Sequence, residues 1–313
     1  MRILITGGFG FVGGRVAKHL HQAGHSIVLG TRKVYTSPEW LPQAEVVQLH
    51  WHDAAALERS CRGADVVIHA AGMNDQDCAA DPVAALEFNG LATARLLAAA
   101  IRAGVRRFLY FSTAHVYASS LVGTITESTC PRNLHPYATS HLAGEYAVLA
   151  AGQRGQIQGV VLRLSNAFGA PMWKDANCWT LLVNDLCRQA VVPGRLKLHT
   201  AGMQLRDFIA LEDVARAVLH LLQVGPTQLD DGLFNLGGDA VVSVFSITEE
   251  VAARWKVLTG KDLPIIRPGP SGPLPEPLAY ACDKLKATGF SLTSPLRQEI
   301  DATLGLCMAA FGT

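Results

Sequence analysis

The chain has 313 residues, 27 Lys and Arg against 26 Asp and Glu, and a formal net charge of +1. Only 17% of its residues are charged and 49% are hydrophobic, which excludes a disordered or highly charged tail protein. The balanced charge, with no basic stripe, argues against nucleic acid as a partner, and the length allows about two domains or one large α/β domain with insertions.

Arg2–Thr6 is a short apolar run that opens into Gly7-Gly8-Phe9-Gly10-Phe11-Val12-Gly13-Gly14, followed by helical spacing over 15–24 and a second apolar run over 25–30. Aliphatic and β-branched runs bounded by glycine read as strands buried on both faces. The alternation continues with a strand at 45–49, a helix at 54–61, a strand at 64–71 and a helix over 82–103. A strand at 108–112, a helix at 137–153 and a strand at 160–164 complete the series. Repeated strand-then-helix units predict an α/β fold, a doubly wound parallel sheet with helices on both faces. Beyond it, helices are expected at 179–188, 212–223 and 246–259, a strand at 196–200, and a Pro-rich loop over 264–277 across the cleft. The predicted division is a dinucleotide-binding domain at 1–165, with segments returning near 203–239. The substrate-binding lobe comprises 166–202 and 240–313.

Gly7, Gly10 and Gly13 form G-x-x-G-x-x-G between the first strand and its helix. Glycine there permits a tight turn and lets backbone N–H groups and the helix N-terminus approach a pyrophosphate, which points to a dinucleotide. The second strand ends Gly30-Thr31-Arg32-Lys33 without the carboxylate that would hold an adenosine ribose. Thr31, Arg32 and Lys33 suit a 2′-phosphate, so NADP(H) is favoured and NAD(H) is the alternative; two solvated surface cations are the plainer reading.

The run free of acids and bases at 108–126 is broken by Ser112, Thr113, His115 and Gly123 and does not read as a membrane span. Met1–Ile5 is too short for a signal segment, and seven scattered cysteines without a C-x-x-C pair suit a reducing cytoplasm. The eleven histidines show no metal-ligand spacing, so no metal is expected.

Ordered motifs run nearly the whole length: Ile5–Gly13, Asp65-Val66-Val67-Ile68-His69-Ala70-Ala71, Asn89 with Thr93, and Ser112-Thr113-Ala114-His115-Val116-Tyr117. Arg163–Gly169, Gln204–Ile209 with Asp213-Val214, Phe234–Gly237 and Asp283-Lys284-Leu285 follow. Together they are similar to the extended short-chain dehydrogenase/reductases, the nucleotide-sugar epimerase/dehydratase/reductase group. The resemblance implies a Rossmann domain and a cofactor held by Gly7, Gly10, Phe11, Val12, Gly13, Ala70, Ala71, Gly72, Asn89 and Ser112. It makes Thr113 and Tyr137 the catalytic pair, and it implies a nucleotide-diphosphate sugar bound by Asn74, Thr113, His115, Asn166, Arg206 and Arg267. A guanidinium suits a diphosphate, although surface arginines are common and Arg267 has Pro270 where the family carries an acid.

Three departures stand out. The family's Y-x-x-x-K reads Tyr137-Ala138-Thr139-Ser140-His141, so a histidine that is largely neutral at pH 7 replaces the lysine that, by the resemblance, binds the nicotinamide ribose hydroxyls and lowers the tyrosine pKa. An enzyme with altered activation, a slow enzyme and a catalytically silent binder all remain open. The third strand ends in His50-Trp51, with His50 where the family places an adenine-contacting Asp. After Thr113, Ala114-His115 replaces the Asp-Glu pair of 4,6-dehydratases, which argues against that reaction. His115 is then either an acid/base toward the sugar or a hydrogen-bonded strand-end residue.

The reading preferred on these grounds is an NADP(H)-dependent oxidoreductase that reduces a keto group of a nucleotide-diphosphate sugar. The alternatives are an NAD-dependent epimerase and a non-catalytic binder. The nearly all-apolar Leu91–Ile101 must be covered on both sides, and the resemblance implies that a homodimer covers it.

Overall fold

The structure, a computed structural model, describes residues 1–269 and 275–312. The first half alternates β1 (Arg2–Thr6), α1 (Phe11–Gln22), β2 (Ser26–Thr31), β3 (Glu45–Gln48), α2 (Ala54–Cys61), β4 (Val66–His69), α3 (Asp75–Ala80) and α4 (Pro82–Arg102). Then come β5 (Arg107–Thr113), β6 (Gly123–Ile125), α5 (Pro136–Gln153), β7 (Gln158–Leu164), β8 (Asn166–Phe168), α6 (Leu182–Val191), β9 (Leu196–Lys197), β10 (Leu205–Ala210) and α7 (Leu211–Gln223). The chain ends with β11 (Leu233–Leu236), β12 (Val241–Ser243), α8 (Val244–Thr259), β13 (Ile265–Ile266), β14 (Leu278–Tyr280), α9 (Asp283–Ala287) and α10 (Leu296–Phe311).

Seven strands form one parallel sheet in the order β11-β7-β5-β4-β1-β2-β3. Its central strands are apolar because both faces are covered: every residue of β4 and β5 is buried. Val16, Ala17 and Leu20 of α1 pack with Val214, Val218 and Leu221 of α7 on one face. Leu57, Leu96, Leu97 and Val148, from α2, α4 and α5, cover the other. The chain leaves β1 toward β2 on one side and reaches β4 on the other, so a crevice opens at the C-terminal ends of β1 and β4.

The second half supplies both sheet and lobe. α7 and β11 return to the main sheet, whereas β8, β10 and β12 form a three-stranded sheet. α6, α8 and α10 pack on the latter through Val183, Leu186, Val251, Ile300 and Leu304. Arg15 of α1 pairs with Glu212 and Glu299 and ties the lobe to the glycine turn.

Several expected elements differ. The helix over 82–103 is not uniform: Leu86–Ala92 is wound as a π-helix before regular turns resume at Thr93. The Thr93 hydroxyl bonds to the Asn89 carbonyl at 2.6 Å, and the wide turn sends the Asn89 side chain into the protein. By length and composition α4 (21 residues, mean hydropathy 1.2) is apolar enough to cross a bilayer, but half of that window is buried within the fold. The helix expected from 179 starts at Leu182, because Trp179 and Leu181 are held in turns by Lys174 and Cys178. The strand expected over 196–200 stops at Lys197, since Thr200 bonds to the Gly202 N–H and bends the chain. Within the expected loop at 264–277, Ile265 and Ile266 instead pair with β9; residues 270–274, Pro270 included, lie outside the described residues.

Candidate active site

The glycine turn fits a dinucleotide. Gly7 has φ +69°, and a Cβ there would lie 2.8 Å from the Ala70 carbonyl and the Ala71 nitrogen. A Cβ on Gly13 would lie 2.3 Å from the Gly7 oxygen, so α1 can approach the turn this closely only without side chains. Gly10 caps α1 without a side-chain bond, and the first turn has no acid. The N–H groups of Phe11, Val12 and Gly13 are therefore available to an anion.

At the end of β2, Thr31 is partly exposed and Arg32 and Lys33 are exposed, with no carboxylate paired to either among the described residues. The Arg32 guanidinium lies 5.0 Å from the Phe88 ring, which in turn meets Trp51 edge-on at 5.4 Å. Trp51 is buried, and its indole N–H has no partner among the described residues. His50 is exposed beside it. Ala70, Ala71 and Gly72 continue β4 into the crevice, and Asn89 pins that loop by accepting from the Met73 N–H at 2.8 Å and donating to Ser140 at 3.0 Å.

A cavity of about 540 Å³ lies between the sheet's C-terminal edge and the lobe, within the range of small-molecule sites. Its walls include Phe11, Val12, Asn74, Ser112, Thr113, His115, Tyr137, Asn166 and Arg206. Sequence motifs separated by more than a hundred residues thus meet around one space. β5 delivers Ser112 and Thr113, and the start of α5 delivers Tyr137, with Pro136 fixing its first turn. Burial pushes the Tyr137 phenol up to about 12, and the Thr113 hydroxyl draws it only part of the way back. Ser112 faces Glu145, a buried carboxylate that also takes two guanidinium nitrogens of Arg163 and so clamps α5 to β5 and β7.

The Arg206 side chain forms no ion pair or hydrogen bond among the described residues, and burial lowers its pKa. A partly desolvated guanidinium facing a cavity is a receptor for an anion. His115 lies near it, open to the cavity, with a pKa lowered by the protein crowded around the ring first and by the Arg206 charge second. Asn166 donates to the Asp207 carbonyl at 2.9 Å, and Asn74 caps α3. Asp75, Ser119, Asn133, His135 and Thr180 also face the cavity and were not anticipated. His135 and Asn133 flank the Pro136-Tyr137 signal, so proximity in sequence was the available cue.

Of the anticipated catalytic and substrate-binding residues, two lie off the cavity wall. Arg267 is stacked on Phe245, 3.4 Å from the ring centroid, and bonds to the Ala201 carbonyl. His141 sits behind Tyr137 and is buried, its ring edge-on to the tyrosine ring at 4.6 Å. Its Nδ1 meets the Tyr110 hydroxyl at 2.8 Å, and burial lowers its pKa to about 4. The imidazole is therefore neutral across the physiological range.

Known proteins are similar to this chain in sequence and fold. The family described as "NAD dependent epimerase/dehydratase family" matches residues 3–237. A dTDP-D-glucose 4,6-dehydratase from Mus musculus is 30% identical over 190 residues, 60% of this chain and 51% of that protein. The chain thus spans about half the length of that relative. A UDP-glucose 4-epimerase from Azospirillum brasilense is 28% identical over 305 residues, 91% of this chain and 85% of that one. Among solved structures, MoeE5 in complex with UDP-glucuronic acid and NAD superposes with a TM-score of 0.77 at 25% identity, covering 99% of both chains. The glycine turn, the Thr113–Tyr137 pair and the match over residues 3–237 place the chain in the NAD-dependent epimerase/dehydratase family of extended short-chain dehydrogenase/reductases.

Proposed function

We propose that the protein is an NADP(H)-dependent reductase of a keto group on a nucleotide-diphosphate sugar. The observations that carry this reading are the end of β2, where Thr31, Arg32 and Lys33 stand without a carboxylate, and Tyr137 on the cavity wall with an imidazole instead of a cation behind it. With its pKa raised and only a neutral imidazole one turn behind it, Tyr137 is a phenol at pH 7. A phenol at that position donates a proton and does not accept one. Reduction of a ketone needs that donor at the nascent alkoxide oxygen. The first step of an epimerase, oxidation of an alcohol, needs a base instead.

The reduced nicotinamide supplies the hydride when bound. Gly7, Gly10 and the N–H groups of Phe11, Val12 and Gly13 hold the pyrophosphate, and Thr31, Arg32 and Lys33 receive the 2′-phosphate. Arg206 receives the substrate diphosphate, and Thr113 orients the carbonyl oxygen toward the Tyr137 hydroxyl. His115 bonds to a sugar hydroxyl as a neutral group. Exposed Val83, Leu86 and Leu91 on α4 and Tyr146 on α5 support a homodimer built on these two helices. Seven free cysteines support a reducing cytoplasm.

A second reading, an NAD-dependent epimerase, draws on the Azospirillum epimerase, which aligns along 91% of the chain. One assay separates them: purified protein with a 4-keto-sugar nucleotide and NADPH or NADH, beside UDP-glucose with NAD⁺. Stoichiometric NADPH consumption with the keto substrate supports the reductase. Interconversion of UDP-glucose and UDP-galactose without net nicotinamide turnover contradicts it, and tight nucleotide binding with neither reaction identifies a binder.

A further inference from the structure

His141 has a second neighbour that no motif brings forward. Tyr110 lies on β5, one residue from Phe111 and two from Ser112, and is buried between two imidazoles. It stacks on His69 at 5.5 Å and on His141 at 5.8 Å, with interplanar angles of 26° and 28°. Its hydroxyl occupies space that exists only because residue 144 is glycine, since a Cβ there would lie 2.8 Å from that oxygen.

The hydrogens in this cluster can be assigned by elimination. Thr93 spends its proton on the Asn89 carbonyl at 2.6 Å, so the 2.9 Å bond between Thr93 and His69 Nε2 is donated by the histidine. His69 Nδ1 then accepts from the Thr6 hydroxyl at 2.5 Å. The Thr93 hydroxyl is also near the Tyr110 hydroxyl but already accepts from His69, which leaves two acceptors within 3.5 Å. The Asn89 carbonyl is 3.5 Å away and already taken by Thr93, whereas His141 Nδ1 is at 2.8 Å. At those distances the proton belongs on the bond to His141. Nδ1 is then an acceptor, and a neutral imidazole must carry its hydrogen on Nε2.

The Cε1–Nε2 edge of His141 faces Gly72, where a Cβ would lie 3.6 and 3.8 Å from the two atoms. Gly72 lies in the loop that carries β4 into the cofactor crevice. We propose that Tyr110 is a positioning residue: by donating to His141 Nδ1 it locks the imidazole in the Nε2–H tautomer and turns that N–H toward the crevice at Gly72. At the position that the family resemblance assigns to the cofactor ribose, residue 141 thus presents a neutral, oriented N–H in place of a cation. The groups facing the ring are Tyr110 from β5, Tyr137 from α5, His69 from β4 and Asn89 from the π-helix, none of them an acid that would hold a second proton. Burial likewise disfavours the charged ring.

The consequence for the cofactor rests on the proposed hydride-transfer site, but the tautomer does not. Long-range ¹H–¹⁵N spectra of the whole ligand-free protein at pH 7 distinguish protonated from bare ring nitrogens. The result expected is a protonated Nε2 and a bare Nδ1 on His141, with Tyr110→Phe losing that preference. Tyr110→Phe should also raise the KM for NADPH about tenfold with a smaller change in kcat, as loss of one oriented hydrogen bond does. A protonated Nδ1 in the wild-type spectrum, which needs no variant to fold, overturns the proposal. So does Tyr110→Phe with an unchanged tautomer. If the tautomer is as assigned and no keto-sugar nucleotide is reduced, the tautomer lock by Tyr110 stands and the reductase reading falls.

Discussion

Replacing His141 with lysine restores a cation behind Tyr137, and the structure fixes how large the effect should be. The two rings lie 4.6 Å apart. An ammonium about 5 Å from the phenol oxygen, at an effective dielectric near 20, stabilises the tyrosinate by about 3 kcal/mol, or about 2 pK units. Tyr137 should therefore fall from about 12 toward the range of an exposed tyrosine. In the alcohol-oxidising direction, where tyrosinate is the base, turnover at neutral pH should rise by up to about 100-fold. The gain is a ceiling, because the same burial draws the lysine pKa down. In the ketone-reducing direction the phenol is protonated in both proteins, so His141→Lys should change little there. The variant should also lose about 1–3 kcal/mol of stability, since the Tyr110 hydroxyl loses its acceptor. Paired pH–rate profiles in both directions test this. An unmoved oxidation profile, or a fall in oxidation rate, refutes the electrostatic reasoning.

Other outcomes follow from the same geometry. Burial lowers His69 to about 3 and His141 to about 4, below the value near 6.5 of an unfolded chain. The unfolded state then binds more protons, so stability is full above pH 6.5 and is lost as pH falls toward 4; Tm should drop over that interval, and less so in His141→Gln. Gly13→Ala forces a Cβ against the Gly7 carbonyl and should abolish dinucleotide binding in a fluorescence titration while Arg206→Ala leaves it intact. Arg206→Ala should instead weaken nucleotide-sugar binding about 10- to 100-fold by calorimetry. Arg32→Ala should erase discrimination between NADPH and NADH, read as the ratio of their kcat/KM values.

Much of this architecture was legible in the sequence because its signals are local. β1, the glycine turn and α1 are contiguous, and the apolar runs of β4 and β5 follow directly from burial on both faces. The π-helix at Leu86–Ala92 was not legible, since it depends on Asn89 reaching Met73 and Ser140, residues brought near only by the fold. Tyr137 and Arg206 carried their own motifs, whereas Asp75 and Thr180 reach the cavity through the packing of α3 and the lobe. The sequence also marked His141 as a substitution. It gave no sign that Tyr110, thirty-one positions earlier, would meet its ring. Arg267 shows the converse: a motif-like arginine whose side chain is occupied by Phe245 and Ala201.

The account turns on Tyr137 being an acid, and a spectrophotometric titration of tyrosinate in the wild type minus that in Tyr137→Phe measures this directly. The result predicted is no ionisation of Tyr137 below about pH 10, together with NADPH-dependent reduction that does not vary with Tyr137 between pH 6 and 9. A tyrosinate forming near pH 7 in the ligand-free protein would contradict it.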